Sequence, residues 1–186
     1  KRQSSLHEYL LDKGILNEDI LLAGLIIKSE KKKNSYYDRY RDRIIFPITN
    51  KFGKIVGFGG RVINEDDKPK YMNSPETEIF HKGNLLYNYS NIKSPVKQID
   101  DLVVVEGYMD AISLCSQGFK NVVAPLGTAM SGRQLILFWD LVDSPNICFD
   151  GDKAGKNAAE RVIELSIPNL KPGKNIRFIN LNDDLD

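Results

Sequence analysis

The sequence predicts an α/β fold class, with a parallel sheet in its second half and a basic α+β region before it. Two observations carry this prediction. After about residue 100, short continuous apolar runs alternate with stretches of helical length and pattern. Charge is also divided between the halves: residues 1–95 hold 17 Lys and Arg against 12 Asp and Glu, and residues 96–186 hold 9 against 13. A formal net charge of +1 therefore conceals a basic half beside an acidic one. The first offers a surface to polyanions and the second a site for cations.

The apolar runs LVVV (102–105), NVVAPL (121–126), NICF (146–149) and IRFINL (176–181) read as strands. Between them YMDAISLCSQG, AMSGRQLILFWDLV and KAGKNAAERVIELSI read as helices, the first closed by Gly118. Parallel strands need crossover helices and are covered on both faces, so continuous rather than alternating apolar runs are expected of them. The pattern βαβαβαβ points to a doubly wound α/β domain.

In open α/β sheets the functional crevice lies beyond the carboxyl ends of the strands. Glu106 follows the first strand directly, Asp150 and Asp152 follow the third in CFDGDKAG, and Asp183, Asp184 and Asp186 follow the fourth. Asp110, one helical turn beyond Glu106, lies near the same edge. Clustered carboxylates raise one another's pKa unless a positive charge sits among them. Hard divalent cations with oxygen ligands meet that need. Taken singly, each acid is equally at home as a helix cap or dipole partner.

Composition and spacing narrow the alternatives. The run GDKAGKN (151–157) is not a phosphate loop, because three residues rather than four separate its glycines and Asn157 replaces the hydroxyl residue. A phosphoaspartyl enzyme remains a competing reading of an acid after a parallel strand. The only histidines, His7 and His81, lie outside the acidic half, which disfavours a hydrolytic triad there. Cys115 and Cys148 stand apart in apolar surroundings without a CxxC, as reduced core residues do, and no zinc-ligand set is present. No apolar run approaches the roughly 20 residues of a membrane span, and no signal-peptide core is present, so a soluble, intracellular protein with no membrane partner is expected.

In the first half, SLHEYLLDKG and NEDILLAGLII read as helices, with Gly14 ending one and Asn17 capping the other. RDRIIFPITNKFGKIVGFGGRV reads as two strands joined around Asn50–Gly53, and Arg61 follows the glycine run 57, 59, 60. Arginine gives bidentate phosphate contacts, whereas Lys70 and Lys82 offer point charges or are plain surface lysines. Tyr71 suits stacking on a base, and equally a half-buried strand position. The lysine-rich KSEKKKN (28–34) reads as a solvated loop.

The segments VVVEGYMDAISL, PLGTAM and ICFDGDKAGKNAA resemble the successive blocks of a Toprim domain, in the version found in bacterial DnaG-type primases. YDRYRDRIIFPI, GKIVGFGGRV and KPKYMNSPETEIFHKGNLLYN resemble the basic subdomain that precedes it. The resemblance implies two domains, a basic N-terminal subdomain over 1–95 and a Rossmann-like Toprim domain over 96–186 that is truncated at its C-terminal end. It further implies template-directed synthesis of RNA primers from NTPs on single-stranded DNA, with two or more Mg²⁺ or Mn²⁺ ions and no zinc in this segment. Glu106, Asp150 and Asp152 fall on catalytic positions, and the same three with Asp110 and Asp186 on metal-binding positions. Arg41, Arg43, Arg61, Lys70, Tyr71, Asn73 and Lys82 fall on nucleotide- and nucleic-acid-binding positions. A replicative helicase is implied as partner through a C-terminal module. Another Toprim enzyme of nuclease or topoisomerase type, or a non-catalytic binding fragment, is the alternative.

Overall fold

The structure, a computed structural model, describes residues 5–92, 101–127 and 130–182. The chain divides into two compact units, Lys1–Ile48 with Ile55–His81, and Thr49–Lys54 with Lys82–Asp186. The expected domain boundary near residue 95 falls among residues 93–100, outside the described residues.

The first unit begins with helices α1 (Ser5–Asp12) and α2 (Asn17–Leu22). Gly14 ends the first as expected, at φ +80°, with its N–H on the Leu11 carbonyl. The second differs from expectation in two ways. Leu16, not Asn17, holds the N-cap position, and the Asn17 side chain instead engages His7 Nε2. The helix also stops at Leu22, because Gly24 turns the chain at φ +69° and the β-branched Ile26 and Ile27 enter strand β1 (Ile26–Lys28). Strand β1 pairs antiparallel with β2 (Tyr36–Asp38), Lys28 opposite Tyr36. Asp38 is 3% exposed, and its carboxylate accepts the Leu6 and His7 N–H groups at 2.8 and 2.9 Å. A residue on β2 thus supplies the acceptor for the open first turn of α1.

Strands β3 (Arg43–Thr49), β4 (Ile55–Val62) and β5 (Tyr71–Asn73) form a three-stranded sheet in that order. The β3–β4 hairpin turns where expected. Asn50 Oδ1 accepts the N–H groups of Phe52 and Lys54, and Gly53 takes φ +76°. Gly57 cannot be replaced cheaply, since a Cβ there would meet the ring of fully buried Phe80.

The second unit is a five-stranded sheet of order β10-β9-β7-β8-β6, comprising β6 (Leu86–Tyr87), β7 (Val103–Val104), β8 (Val122–Pro125), β9 (Asn146–Cys148) and β10 (Arg177–Ile179). The four expected strands appear, and all their pairings are parallel. Strand β6 is unexpected: it pairs antiparallel with β8, Leu86 opposite Pro125. Two residues are too few to show a period, so no sequence pattern announces it.

Helices α3 (Tyr108–Ser116), α4 (Gly132–Leu141) and α5 (Lys153–Ser166) supply the crossovers. Val105, Ala111, Val122 and Ala124 form a small core with Leu114, Cys115 and Cys148 packed against it, which sets α3 on one face of the sheet. Leu135, Phe138, Trp139, Val104, Val123, Ile147 and Val162 belong to the larger core, which sets α4 and α5 on the other. Both cysteines are free thiols packed on core residues, as their surroundings in the sequence implied. Among the described residues no helix is long and apolar enough to cross a membrane.

Candidate functional site

Strand β7 leads through α3 to β8 on one side of it, and the chain then crosses to β9 on its other side. The strand order reverses between β7 and β9, which is where doubly wound sheets open a crevice. The acids stand at that point. Glu106 leaves the end of β7 half-buried, and its Oε1 accepts the Asp150 backbone N–H at 3.1 Å. Val104 lies opposite Ile147 in the parallel register, so Glu106 and Asp150 emerge from the same end of neighbouring strands.

Asp110 and Asp152 take part in helix starts at the same edge. Asp110 is the third residue of α3, and its Oδ2 reaches back to the Gly107 N–H at 2.9 Å. Asp152 is the N-cap of α5 and accepts the Gly155 N–H at 2.8 Å. Gly155 is required for close approach: a Cβ there would collide with the Asp150 carbonyl oxygen and would lie 2.8 Å from Glu106 Oε1. A Cβ at Gly151 would likewise run into the Asn182 carbonyl. The sequence GDKAG therefore brings three chain segments together with no room for larger side chains.

Burial pushes the Glu106 carboxyl above its ordinary value, the charges of Asp150, Asp152 and Asp110 push it further in the same direction, and the Asp150 N–H bond opposes them. Cys148, beside this edge, is pushed up by burial and then by Asp150. The strand-end acids thus feel one another in a site of excess negative charge, a donor set of oxygens that suits a hard divalent ion. With Asp110 and Asp152 turned to their helix starts, no three Asp, Glu, His or Cys side chains among the described residues form a ready-made metal cluster. Asp183, Asp184 and Asp186 lie outside the described residues.

In the first unit the expected basic residues separate. Arg61 and Tyr71 are register partners on β4 and β5, and Gly59 opposes Asn73, which sets Arg61, Tyr71 and Asn73 on one face of the sheet. The Arg61 guanidinium and the Lys70 ammonium each lie 5.9 Å from the Tyr71 ring centroid. Arg61 Nε and Asn73 Oδ1 are buried without a hydrogen-bond partner among the described residues. Arg43 packs where a Cβ of Gly60 would point, on the opposite face, and its Nη1 donates to the Gly60 and Lys70 carbonyls. Arg41 is exposed, 4.8 Å above the Tyr37 ring, and with Arg43, Tyr40, Asp38 and Met72 it lines a cavity of about 610 Å³. The Tyr40 hydroxyl ties this side together through the Phe58 carbonyl and Ser74 Oγ, at 2.9 and 3.0 Å.

Lys82 belongs to the second unit, in a 3₁₀ turn over Lys82–Asn84. Its carbonyl and that of Leu85 accept from Nε2 of Gln134, which is fully buried, at 2.9 Å each. Gln134 Oε1 accepts the Ser131 N–H while Ser131 Oγ accepts the Gln134 N–H, a capping box on α4. Sequence reasoning passed over Gln134 as a positioning residue. Its signal was present, since Ser131 and Gln134 are spaced as the S-x-x-Q start of a helix.

A parallel sheet with acids at its switch point, in a unit of this topology, defines a Toprim-type α/β protein, and residues 100–180 match the Toprim domain family. Residues 1–93 match the family described as DNA primase catalytic core, N-terminal domain, and the chain belongs to the DnaG-type DNA primase family. A DNA primase of Pseudomonas aeruginosa is 49% identical over 162 residues, covering 87% of this chain and 24% of that protein. A crystal structure of a DNA primase domain from the same organism is 45% identical with a TM-score of 0.90, covering 100% of this chain and 57% of the other. A solved DnaG primase catalytic domain bound to ssDNA is 39% identical with a TM-score of 0.84, covering 95% of this chain and 55% of that one. The chain spans about a quarter of the length of the curated relatives it matches.

Proposed function

We propose that this chain is the core of a primase that joins ribonucleotides into short RNA primers on a single-stranded DNA template during bacterial replication. The observation that carries this is the acid-bearing switch point, where Glu106, just beyond β7, holds the backbone of Asp150 after β9 with Asp110 and Asp152 close enough to raise its pKa. The family match of residues 1–93 separates this reading from a nuclease or topoisomerase, for which a Toprim domain alone would suffice. The ssDNA held by the similar catalytic domain supports a single-stranded template.

The reading divides the chain into a basic subdomain over 1–95 and a Toprim domain over 96–186. Glu106, Asp150 and Asp152 would hold two or more Mg²⁺ or Mn²⁺ ions, with Asp110 and Asp186 completing the set. When bound, such ions supply acidification of a primer 3′-hydroxyl and neutralisation of the pyrophosphate charge. The chain's own contribution is positioning. Arg61 offers a planar fork for phosphate oxygens, Lys70 and Lys82 add point charges, and Arg41 and Arg43 meet the nucleic-acid backbone. Tyr71 presents a ring face for a base or ribose, and Asn73 Oδ1 an acceptor for a sugar or base N–H or O–H. The replicative helicase would be engaged by a part of the primase outside this chain, in the bacterial cytoplasm.

The test is calorimetric titration of Mg²⁺ and Mn²⁺ into this chain and into Asp150→Ala, with and without NTP, followed by primer synthesis with the same substitution in a longer primase chain. Loss of metal binding and of synthesis in a folded Asp150→Ala protein is expected. Unchanged primer synthesis in that variant would refute the assignment.

A further inference from the structure

The turn between β1 and β2 carries a charge cluster that the proposed site does not use. Lys28 ends β1, and Lys31, Lys32 and Lys33 follow within the turn; all four are exposed, with Glu30 the one acid among them. None of the four ammonium groups has a hydrogen-bond, ion-pair or ring partner among the described residues. The turn itself is built without them. Ser29 N–H bonds the Ser35 carbonyl at 2.7 Å, Lys32 N–H bonds Ser29 Oγ at 3.2 Å, and Asn34 takes the left-handed conformation at φ +60°. Backbone and serine groups fix the loop, and the lysine side chains extend from it into solvent.

Four like charges within six residues repel one another and contribute nothing to this turn's hydrogen bonding. We propose that the β1–β2 turn, through Lys28, Lys31, Lys32 and Lys33, is an accessory contact for the nucleic-acid backbone, gripping about three to four phosphates without reading sequence. The inference rests on the reading of the chain as a binder of single-stranded template. That reading is what favours a nucleic acid over other polyanions. On the same ribbon Tyr36 opposes Lys28, with its ring meeting His7 edge-on, and the Arg41 guanidinium stacks over Tyr37 on the other face. The ribbon thus joins point charges at its tip to aromatic and guanidinium groups along its length.

The test compares the parent chain with a Lys31→Gln, Lys32→Gln, Lys33→Gln triple variant in fluorescence-anisotropy titrations of a labelled single-stranded DNA, across a series of salt concentrations. Each phosphate that the protein no longer neutralises lowers the slope of log K against log salt by about 0.7 for single strands. A reduction of the slope by about 2 is therefore expected for the triple variant. Its thermal midpoint should be unchanged or slightly higher, since the lysines hold nothing in the fold; a lowered midpoint with an unchanged slope would make them structural and overturn the proposal. DNA binding by the parent with the same slope in the variant would overturn this contact alone and leave the template-binding reading standing. No DNA binding by the parent even at low salt would overturn both. If the variant instead lost only its affinity for phosphatidylserine vesicles while keeping its DNA slope, the turn would be a membrane contact and the proposal would fall.

Discussion

The Glu106 carboxylate accepts the backbone N–H of Asp150 at 3.1 Å, so an acid leaving one parallel strand fixes the start of the acid-bearing loop that leaves its neighbour. The bond has a cost, because burial and three nearby carboxylates resist the negative charge that makes Glu106 a good acceptor. The balance sets how the protein responds to pH.

The folded chain holds a proton on Glu106 more tightly than the unfolded chain does, since its pKa is raised above the ordinary 4.5. The stability contributed by this group is therefore fully present in acid. It is lost as pH rises from the ordinary value through the raised one. Glu106→Gln keeps an oxygen acceptor for Asp150 and removes the charge. In chelator-containing buffer, urea denaturation should show the variant gaining stability over the parent near pH 7 and gaining little near pH 3. A difference that stays constant with pH would refute the electrostatic account.

Gly155→Ala should reverse the usual preference of helices for alanine. A mid-helix Gly to Ala change ordinarily stabilises by about 0.5–1 kcal/mol. Here the added methyl meets the Asp150 carbonyl and Glu106 Oε1, and a loss of about 1–3 kcal/mol is expected from the forced shift. Gly132→Ala in α4 is the control. Its Cβ would make an ordinary 3.6 Å contact with Asn169, and it should be neutral or stabilising in the same denaturation assay.

Gln134→Leu should fold but with stability reduced by about 2–4 kcal/mol, because the carbonyls of Lys82 and Leu85 lose their amide donor in a buried setting. Hydrogen exchange would locate the damage. Faster exchange concentrated around residues 82–87 is expected, and uniform acceleration across the sheet would argue against a local anchor.

Arg61→Ala should weaken nucleotide binding about tenfold, the scale of one charged hydrogen bond, with little change in unfolding midpoint. Arg61→Lys should recover only part of it, since a point charge cannot reproduce the fork. Equal binding by all three proteins in a nucleotide titration would remove Arg61 from the site.

Much of the second unit was legible because parallel strands are buried on both faces, and LVVV and NVVAPL can hardly be anything else. The strand ends followed directly, and with them Glu106 and Asp150. What sequence could not show was side-chain direction. Asp110 and Asp152 turn toward helix starts, a choice made by local N–H groups rather than by residue type. The basic residues looked like one surface, yet strand alternation sends Arg61 and Tyr71 to one face and Arg43 to the other. That division depends on register, which a single sequence does not contain. Strand β6 escaped because its two residues are recruited by the edge of β8 rather than by any pattern of their own.

That recruited strand bears on how the molecule is to be dissected. The Toprim match begins at residue 100, but Leu86 and Tyr87 lie against β8, and Gln134 is satisfied by the carbonyls of Lys82 and Leu85. A piece cut to the family boundary would bare the backbone of β8 along one side and strand a buried amide. It should be prone to edge-to-edge self-association, whereas a piece begun at residue 82 carries its own selvedge. The family match and the compact unit in this chain start at different residues.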